Sequence, residues 1–339
     1  MTSHDAQGAR PGALPAVPLG TATDAAAGAL FPEPAPAGPR RARHYSLVAR
    51  DRSFGYALVA PAVIVLLLIT AYPLIYNVWN SFHHVIYTNP ATLGRFAGLS
   101  NYKQIFTDNL FVPSLIRTLG FTAVSVAVEL VIGMALALAL NTRFRGRGLV
   151  RAAIFIPWAV PTVVSAQLWK TMFDPQQGFV NYVLQHLHLP LANTTWLAQT
   201  WTSWAAILVA DAWRNVPFMA ILLLAGLQVI PAEIYEAARV DGASALQSFW
   251  RLTLPLLKPA LMVALVFRTL QSFLIFDVVY AMTGGGPGNS TDVLSYLDWS
   301  AMLQDSNYGY GGAVSVAIMV MSLVIAVIIV RAFRSEPVL

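Results

Sequence analysis

Cysteine is missing from all 339 residues of the chain. A disulfide framework, a thiolate nucleophile and a Cys-ligated metal are therefore excluded. Charge is scarce too: 11% of residues are Asp, Glu, Lys or Arg, against about 25% in an ordinary soluble domain. At the same time 57% are hydrophobic. A chain this poor in charge cannot cover a water-facing surface, so lipid is the expected solvent for much of it. The net charge is +5, which could suggest nucleic acid. Here the basic residues sit in short segments between apolar runs, the pattern of membrane topology, and no nucleic-acid partner is expected. The glycine-rich stretch Gly284 to Thr291 lacks the lysine of a phosphate-binding loop, so this chain is not expected to bind ATP or act as an enzyme. His186 and His188 have no third ligand close in sequence, and no metal site or nucleophile–base set stands out.

What is present is a series of apolar runs. Residues 1–52 are rich in Ala, Pro and Gly and cannot bury a core, so they read as a disordered tail. The tail lacks the basic-then-apolar order of a cleaved signal. A spanning helix needs about 20 mostly apolar residues, and six stretches qualify. They run from Tyr56 to Trp79, Leu115 to Leu140, Leu149 to Met172, Trp204 to Leu227, Pro259 to Met282 and Tyr310 to Val330. Pro157, Pro161 and Pro217 interrupt the third and fourth, and each frees backbone groups that must find partners. The expected architecture is an all-α membrane domain over 53–339.

Arg40, Arg41, Arg43, Arg50 and Arg52 precede the first run. Arg143, Arg145, Arg147 and Arg151 follow the second, and Arg239, Arg251 and Lys258 follow the fourth. Arg331 and Arg334 close the chain. The segments between hold only Arg95 and Lys103, or no Lys or Arg at all. Alternate connections thus agree, placing both termini on the cytoplasmic side of a cell membrane.

The connection over about 228–258 is unusual. Pro231 followed by Glu233 is a good helix start. Asp241-Gly242 is a turn signal, since Gly takes positive φ at little cost. A second short helix is expected from Ala243 to Leu252, with Leu246, Phe249 and Trp250 as its anchoring side. The small residues leave room for another protein's backbone to approach closely.

Glu236-Ala237-Ala238, Asp241-Gly242-Ala243, Phe249, Leu254-Pro255 and Pro259 resemble the EAA motif of ABC importer permeases. The chain looks most like the sugar-importing branch, of the type of the larger permease of maltose systems. Ala60-Pro61, Tyr72-Pro73-Leu74, the run Ile156 to Pro161, Trp213 with Pro217, and Thr283 to Pro287 extend the match from Phe54 to the end. The resemblance implies a type I importer permease fold in lipid. It implies a second homologous permease, two ATPase subunits holding ATP and Mg, and an external sugar-binding protein. It also implies that Glu236, Ala237, Ala238, Asp241, Gly242 and Ala243 couple the ATPases to the spans.

Polar residues inside a bilayer are expensive and point to a pathway, and transporters place their sites near the midplane. Glu129, Trp158, Thr162, Asp211, Arg214, Asn215, Arg268, Gln271 and Ser272 lie deep in the runs. A Trp face suits a sugar ring, and Asn, Gln and Thr suit its hydroxyls. The resemblance places sugar contacts at Trp158, Thr162, Asp211, Asn215, Phe218, Arg268 and Ser272. The charges have an internal alternative: Asp211 with Arg214 at i,i+3, and Arg268 with Glu129 or Asp277. Lys170 is expected to snorkel to the interface. The sugar read from this pattern is a disaccharide such as trehalose or maltose, with a glycerol-phosphate importer and an ion-coupled carrier as alternatives.

Overall fold

The computed structural model describes residues 44–142 and 144–334. The expected disorder up to residue 43, with Arg40, Arg41, Arg43 and Arg143, lies outside the described residues. Helix α1 runs from His44 to Ser81, so residues 44–52 are helical where a disordered tail is expected. The apolar run after Phe54 propagates helix backwards once the nucleus is formed.

The chain divides after Leu66 into two units. Of the first, the described part is the opening stretch of α1, whose side chains from Phe54 to Leu66 are almost all exposed. In the second, α1 continues to Ser81, and a two-residue hairpin pairs β1 (His83–His84) with β2 (Arg95–Phe96) in antiparallel register. Then come α2 (Ser100–Thr107), α3 (Phe111–Asn141), α4 (Arg147–Ala159), α5 (Thr162–Met172) and α6 (Phe179–His186). The long α7 (Thr200–Val229) is followed by α8 (Ala232–Val240), α9 (Ala245–Ser248), a π-turn over Phe249–Thr253 and α10 (Leu254–Leu256). Last are α11 (Lys258–Phe273), α12 (Asp277–Met282), α13 (Leu294–Trp299) and α14 (Tyr308–Arg334).

Among the described residues four helices are long and apolar enough to cross a membrane, the part of α1 from Phe54, α3, α7 and α14. Two bent pairs make six if each is one span: α4 with α5, at 93°, and the stretch Ala245–Leu256 with α11, at 70°. The prolines act unequally. Pro157 lies inside α4 and Pro217 inside α7, and neither ends its helix. The break falls at Val160–Pro161, where two prolines four residues apart leave too few backbone donors to carry the ladder on. The fourth run is thus continuous, contrary to expectation. The fifth stops at Phe273, nine residues before Met282, and resumes as the separate α12.

Three buried clusters fill the second unit. One joins Met134, Ala137 and Leu140 of α3 to Met219, Leu223 and Leu227 of α7 and to Leu257 and Ala264 beside and within α11. A second centres on Phe121, Phe173, Trp196, Ile207, Val279 and Met282. The third gathers Phe111, Phe273, Leu294, Tyr310 and Val314. Close approach of α3 and of α11 to α7 depends on two glycines. A Cβ on Gly133 would meet Met219 Cγ at 2.7 Å, and one on Gly226 would meet Ala260 Cβ at 2.4 Å and Leu257 Cδ1 at 2.7 Å. Small residues at helix crossings let backbones touch where lipid supplies no hydrophobic drive.

Gly226→Ala places a methyl against a Cβ that cannot swing away. It is expected to destabilise by about 1–3 kcal/mol, read as a lowered thermal midpoint of the purified protein in detergent.

Candidate functional site

Three features converge on function: the 230–257 segment, a buried polar network in mid-bundle, and an aromatic pair at the break between α4 and α5.

The segment begins as expected, with Pro231 as N-cap of α8 and Glu233 in its first turn. Asp241 caps the C-terminus, its N–H donating to Ala237 O, and Gly242 turns the chain at φ +76°. The second helix starts later than Ala243, at Ala245, because Ser244 takes the N-cap. Its side chain accepts from the Gln247 N–H while Gln247 returns a bond to the Ser244 N–H, a capping box. Glu236, Ala237, Asp241 and Gly242 are exposed, Ala243 is half-buried and Ala238 is buried. Ala238, Asp241, Gly242 and Ala243 line one cavity of about 430 Å³ with Arg251. Phe249 packs onto the Met134–Leu227 cluster. Trp250 and Leu246 do not; they are 60% and 68% exposed. The π-turn widens the helix after Phe249, so only one of the three expected anchors meets the core. Tyr235 Oη lies 3.2 Å from the buried Thr253 Oγ1, tying α8 to the π-turn.

The mid-bundle charges form one network. Arg268 of α11 is 2% exposed, Asp211 of α7 5%, and Glu129 of α3 is fully buried. The guanidinium bridges both carboxylates, to Glu129 Oε2 through Nε and to Asp211 Oδ2 through Nη2. Nη2 also donates to Glu129 Oε1 at 2.7 Å and to Ser125 Oγ at 3.1 Å. Ser125 contacts Asp211 Oδ2 at 2.9 Å and Glu129 Oε1 at 3.1 Å. Asn215 Nδ2 donates to Asp211 Oδ1 at 2.8 Å. Of the pairings open in the sequence, Arg268 takes Glu129, and Asp211 is taken by Arg268 rather than Arg214. Arg214 instead donates from Nε to Val160 O at 3.1 Å and from Nη1 to Asn215 Oδ1 at 3.2 Å. Ser125 is the member that sequence reasoning missed; its one signal is a small hydroxyl one turn before Glu129 on an apolar helix.

The third feature lies beside the Val160 break. Trp158 stacks on Phe218, centroids 5.7 Å apart and planes within 10°, and Trp158 stays 44% exposed. Thr162, half-buried, opens α5 immediately after the break. On α11 the expected pathway residues divide. Gln271 is exposed, while Ser272 is buried with Arg268, its hydroxyl without a hydrogen-bond partner. Lys170, expected at the interface, is exposed and donates to Ala281 O at 3.2 Å. At the same end of the bundle, Gly285 (φ +80°) fits tightly over Asp292, whose carboxyl burial pushes up to about 6 against the opposing pull of Arg117.

Residues 129–334 match the family described as binding-protein-dependent transport system inner membrane component. The chain is 40% identical to a trehalose/maltose transport system permease protein, MalF, of Thermococcus litoralis, over 85% of this chain and 96% of that protein. It is 39% identical to a trehalose transport system permease protein, SugA, of Mycobacterium tuberculosis, over 84% and 89%. It is 37% identical to a sulfoquinovosyl glycerol transport system permease protein, SmoG, of Agrobacterium fabrum, over 84% and 92%. A crystal structure of a bacterial ABC transporter involved in import of the acidic polysaccharide alginate holds a chain of like fold. The TM-score is 0.73 at 24% identity, covering 86% of this chain and 98% of that one.

Removing one member of a buried ion network leaves an uncompensated charge. Arg268→Met should therefore cost about 3–5 kcal/mol, seen as a sharp fall in thermal midpoint and in yield of monodisperse protein.

Proposed function

We propose that this chain, which belongs to the family of binding-protein-dependent transport system inner membrane components, is a permease subunit of an ATP-driven importer of a disaccharide such as trehalose or maltose. The substrate class is taken from the 40% and 39% identical relatives. The observation that carries the mechanism is the 230–257 segment. It is a short helix, a positive-φ glycine and a second capped helix, with four of the six expected coupling residues lining one open notch.

In this reading the segment faces the cytoplasm, as do both termini, because the basic residues collect on that side of the expected spans. Two partner ATPases hold ATP and Mg and grip the segment. Glu236, Ala237, Asp241 and Gly242 offer them an exposed backbone and one carboxylate pair, while Phe249 and the Gly226 crossing pass the pull into α7 and α11. A second, homologous permease completes the pathway, and an external binding protein delivers the sugar near the glycine-rich turn. The two states differ in affinity for sugar and for nucleotide-bound ATPase, which is what drives alternating access.

Trp158 and Phe218 give the sugar a flat face, with Thr162 and Gln271 as hydrogen-bonding groups. Asp211, Asn215, Arg268 and Ser272 are buried within this chain, and Arg214 is committed to Val160 and Asn215. They therefore act behind the pathway surface. Both arginines that would suit the phosphate of a glycerol-phosphate substrate, Arg214 and Arg268, are engaged within the chain. Glu129 and Asp211 sit in a closed network with Arg268, which leaves neither open to a coupling ion.

The test is ATPase activity of the complex in lipid, assembled from co-expressed neighbouring genes with a binding protein and a sugar panel. Trehalose or maltose should stimulate hydrolysis, and Ala237→Trp or Gly242→Trp should abolish the stimulation with the complex still assembled. Purification without an ATPase, and normal transport by both variants, would sink the reading. Trp158→Ala is expected to lower transport about tenfold, as loss of about 1.4 kcal/mol of ring stacking would, measured as initial uptake into proteoliposomes.

A further inference from the structure

The polar network does not end at the ion triad. Arg268 on α11 contacts Glu129 and Ser125 on α3 and Asp211 on α7. Asp211 Oδ1 accepts from Asn215, Asn215 Oδ1 accepts from Arg214 Nη1, and Arg214 Nε donates to Val160 O. The chain of contacts is unbroken from the helix leaving the 230–257 segment to the break in the third span. Its far end is specific. Pro161 has no N–H and the helix stops at Ala159, so the Val160 carbonyl lies in the gap between α4 and α5. The Arg214 guanidinium donates to that carbonyl, which lies two residues after Trp158 and two before Thr162.

From this we infer that the Arg268–Asp211–Asn215–Arg214 relay is the link by which movement of the coupling segment sets the angle between α4 and α5, and with it the Trp158–Phe218 stack. Arg268 and Arg214 are positioning residues: neither needs to touch sugar. Spatial continuity alone does not transmit energy; an element with two arrangements is required. In this inference the 93° break at Val160–Pro161 is that element, since the backbone ladder stops there and the Val160 carbonyl is held from α7 by Arg214. At the other end, Arg268 sits ten residues into α11, on a rigid helix whose start is clamped to α7 at Gly226. A pull on the segment that shifts α11 must carry the guanidinium, and no carboxylate in the network can release it without leaving a charge stranded in low dielectric. The inference rests on the importer reading above.

The experiment uses the complete complex in proteoliposomes, with trehalose- or maltose-loaded binding protein, and reads ATP hydrolysed per sugar moved. In Arg214→Met the ratio is expected to rise about tenfold, a coupling loss in the usual range, and Arg214→Lys should recover most of it, because an ammonium can still donate to Val160 O. The neutral triple variant Glu129→Gln, Asp211→Asn, Arg268→Met should assemble and show the same rise. A purely structural role would lower assembly, hydrolysis and transport together and leave the ratio unchanged. A direct sugar contact by Arg214 would raise KM for the loaded binding protein, again at constant ratio. Either result overturns the relay. If the triple variant does not assemble, the two Arg214 variants decide alone. Failure of the natural chain to show sugar-stimulated hydrolysis would be a failure of the importer reading itself, visible before any variant is made.

Discussion

A guanidinium held between two carboxylates at the centre of a bundle governs the rest of this structure. In a medium of low dielectric an unpaired charge is far costlier than in water, and a pair is tolerated only when its remaining donors and acceptors are met. Arg268 meets that demand by drawing on α3 and α7 together. Its position fixes which faces of three helices point inward, and so which faces are left for lipid or a partner. The glycines at 133 and 226 are the steric counterpart, since the network closes only if the helices approach to backbone distance.

The same accounting explains the irregular segments. Backbone polar groups at membrane depth must be satisfied inside the protein. Where α4 stops, Arg214 supplies the donor for Val160. Where α11 stops at Phe273, the Leu274 N–H returns to Leu270 O and the Ile275 N–H to Ser272 O before α12 begins. Breaks are affordable at those points and not within α7, where Pro217 is absorbed by a helix that runs on to Val229.

The membrane class, the apolar runs, the start of α8 at Ala232 and the turn at Gly242 were legible in the chain because each rests on local chemistry. They follow from hydropathy over twenty residues, from a proline at a helix start and from a residue that accepts positive φ. Local rules stopped serving where neighbours compete. Pro161 ends a helix and Pro217 does not, though both lie in apolar runs. Ser244 outcompetes Ala243 for the helix start because its hydroxyl and Gln247 cap each other. Trp250, apolar and near Phe249, faces out because a π-turn alters the helical phase.

The sequence by itself determined that this is a helical membrane chain with a helix–turn–helix segment after the fourth apolar run, since composition and motif spacing do not depend on what packs beside them. It also determined that deep polar residues exist in the second to fifth runs. Which of them pair was decided only by the tertiary structure. Glu129, Asp211 and Arg268 are separated by 57 to 139 positions, and nothing in the sequence ranks Arg268 over Arg214 as the partner of Asp211. Packing does, because α11 crosses α3 and α7 at one depth, while the gap after α4 gives Arg214 a carbonyl of its own.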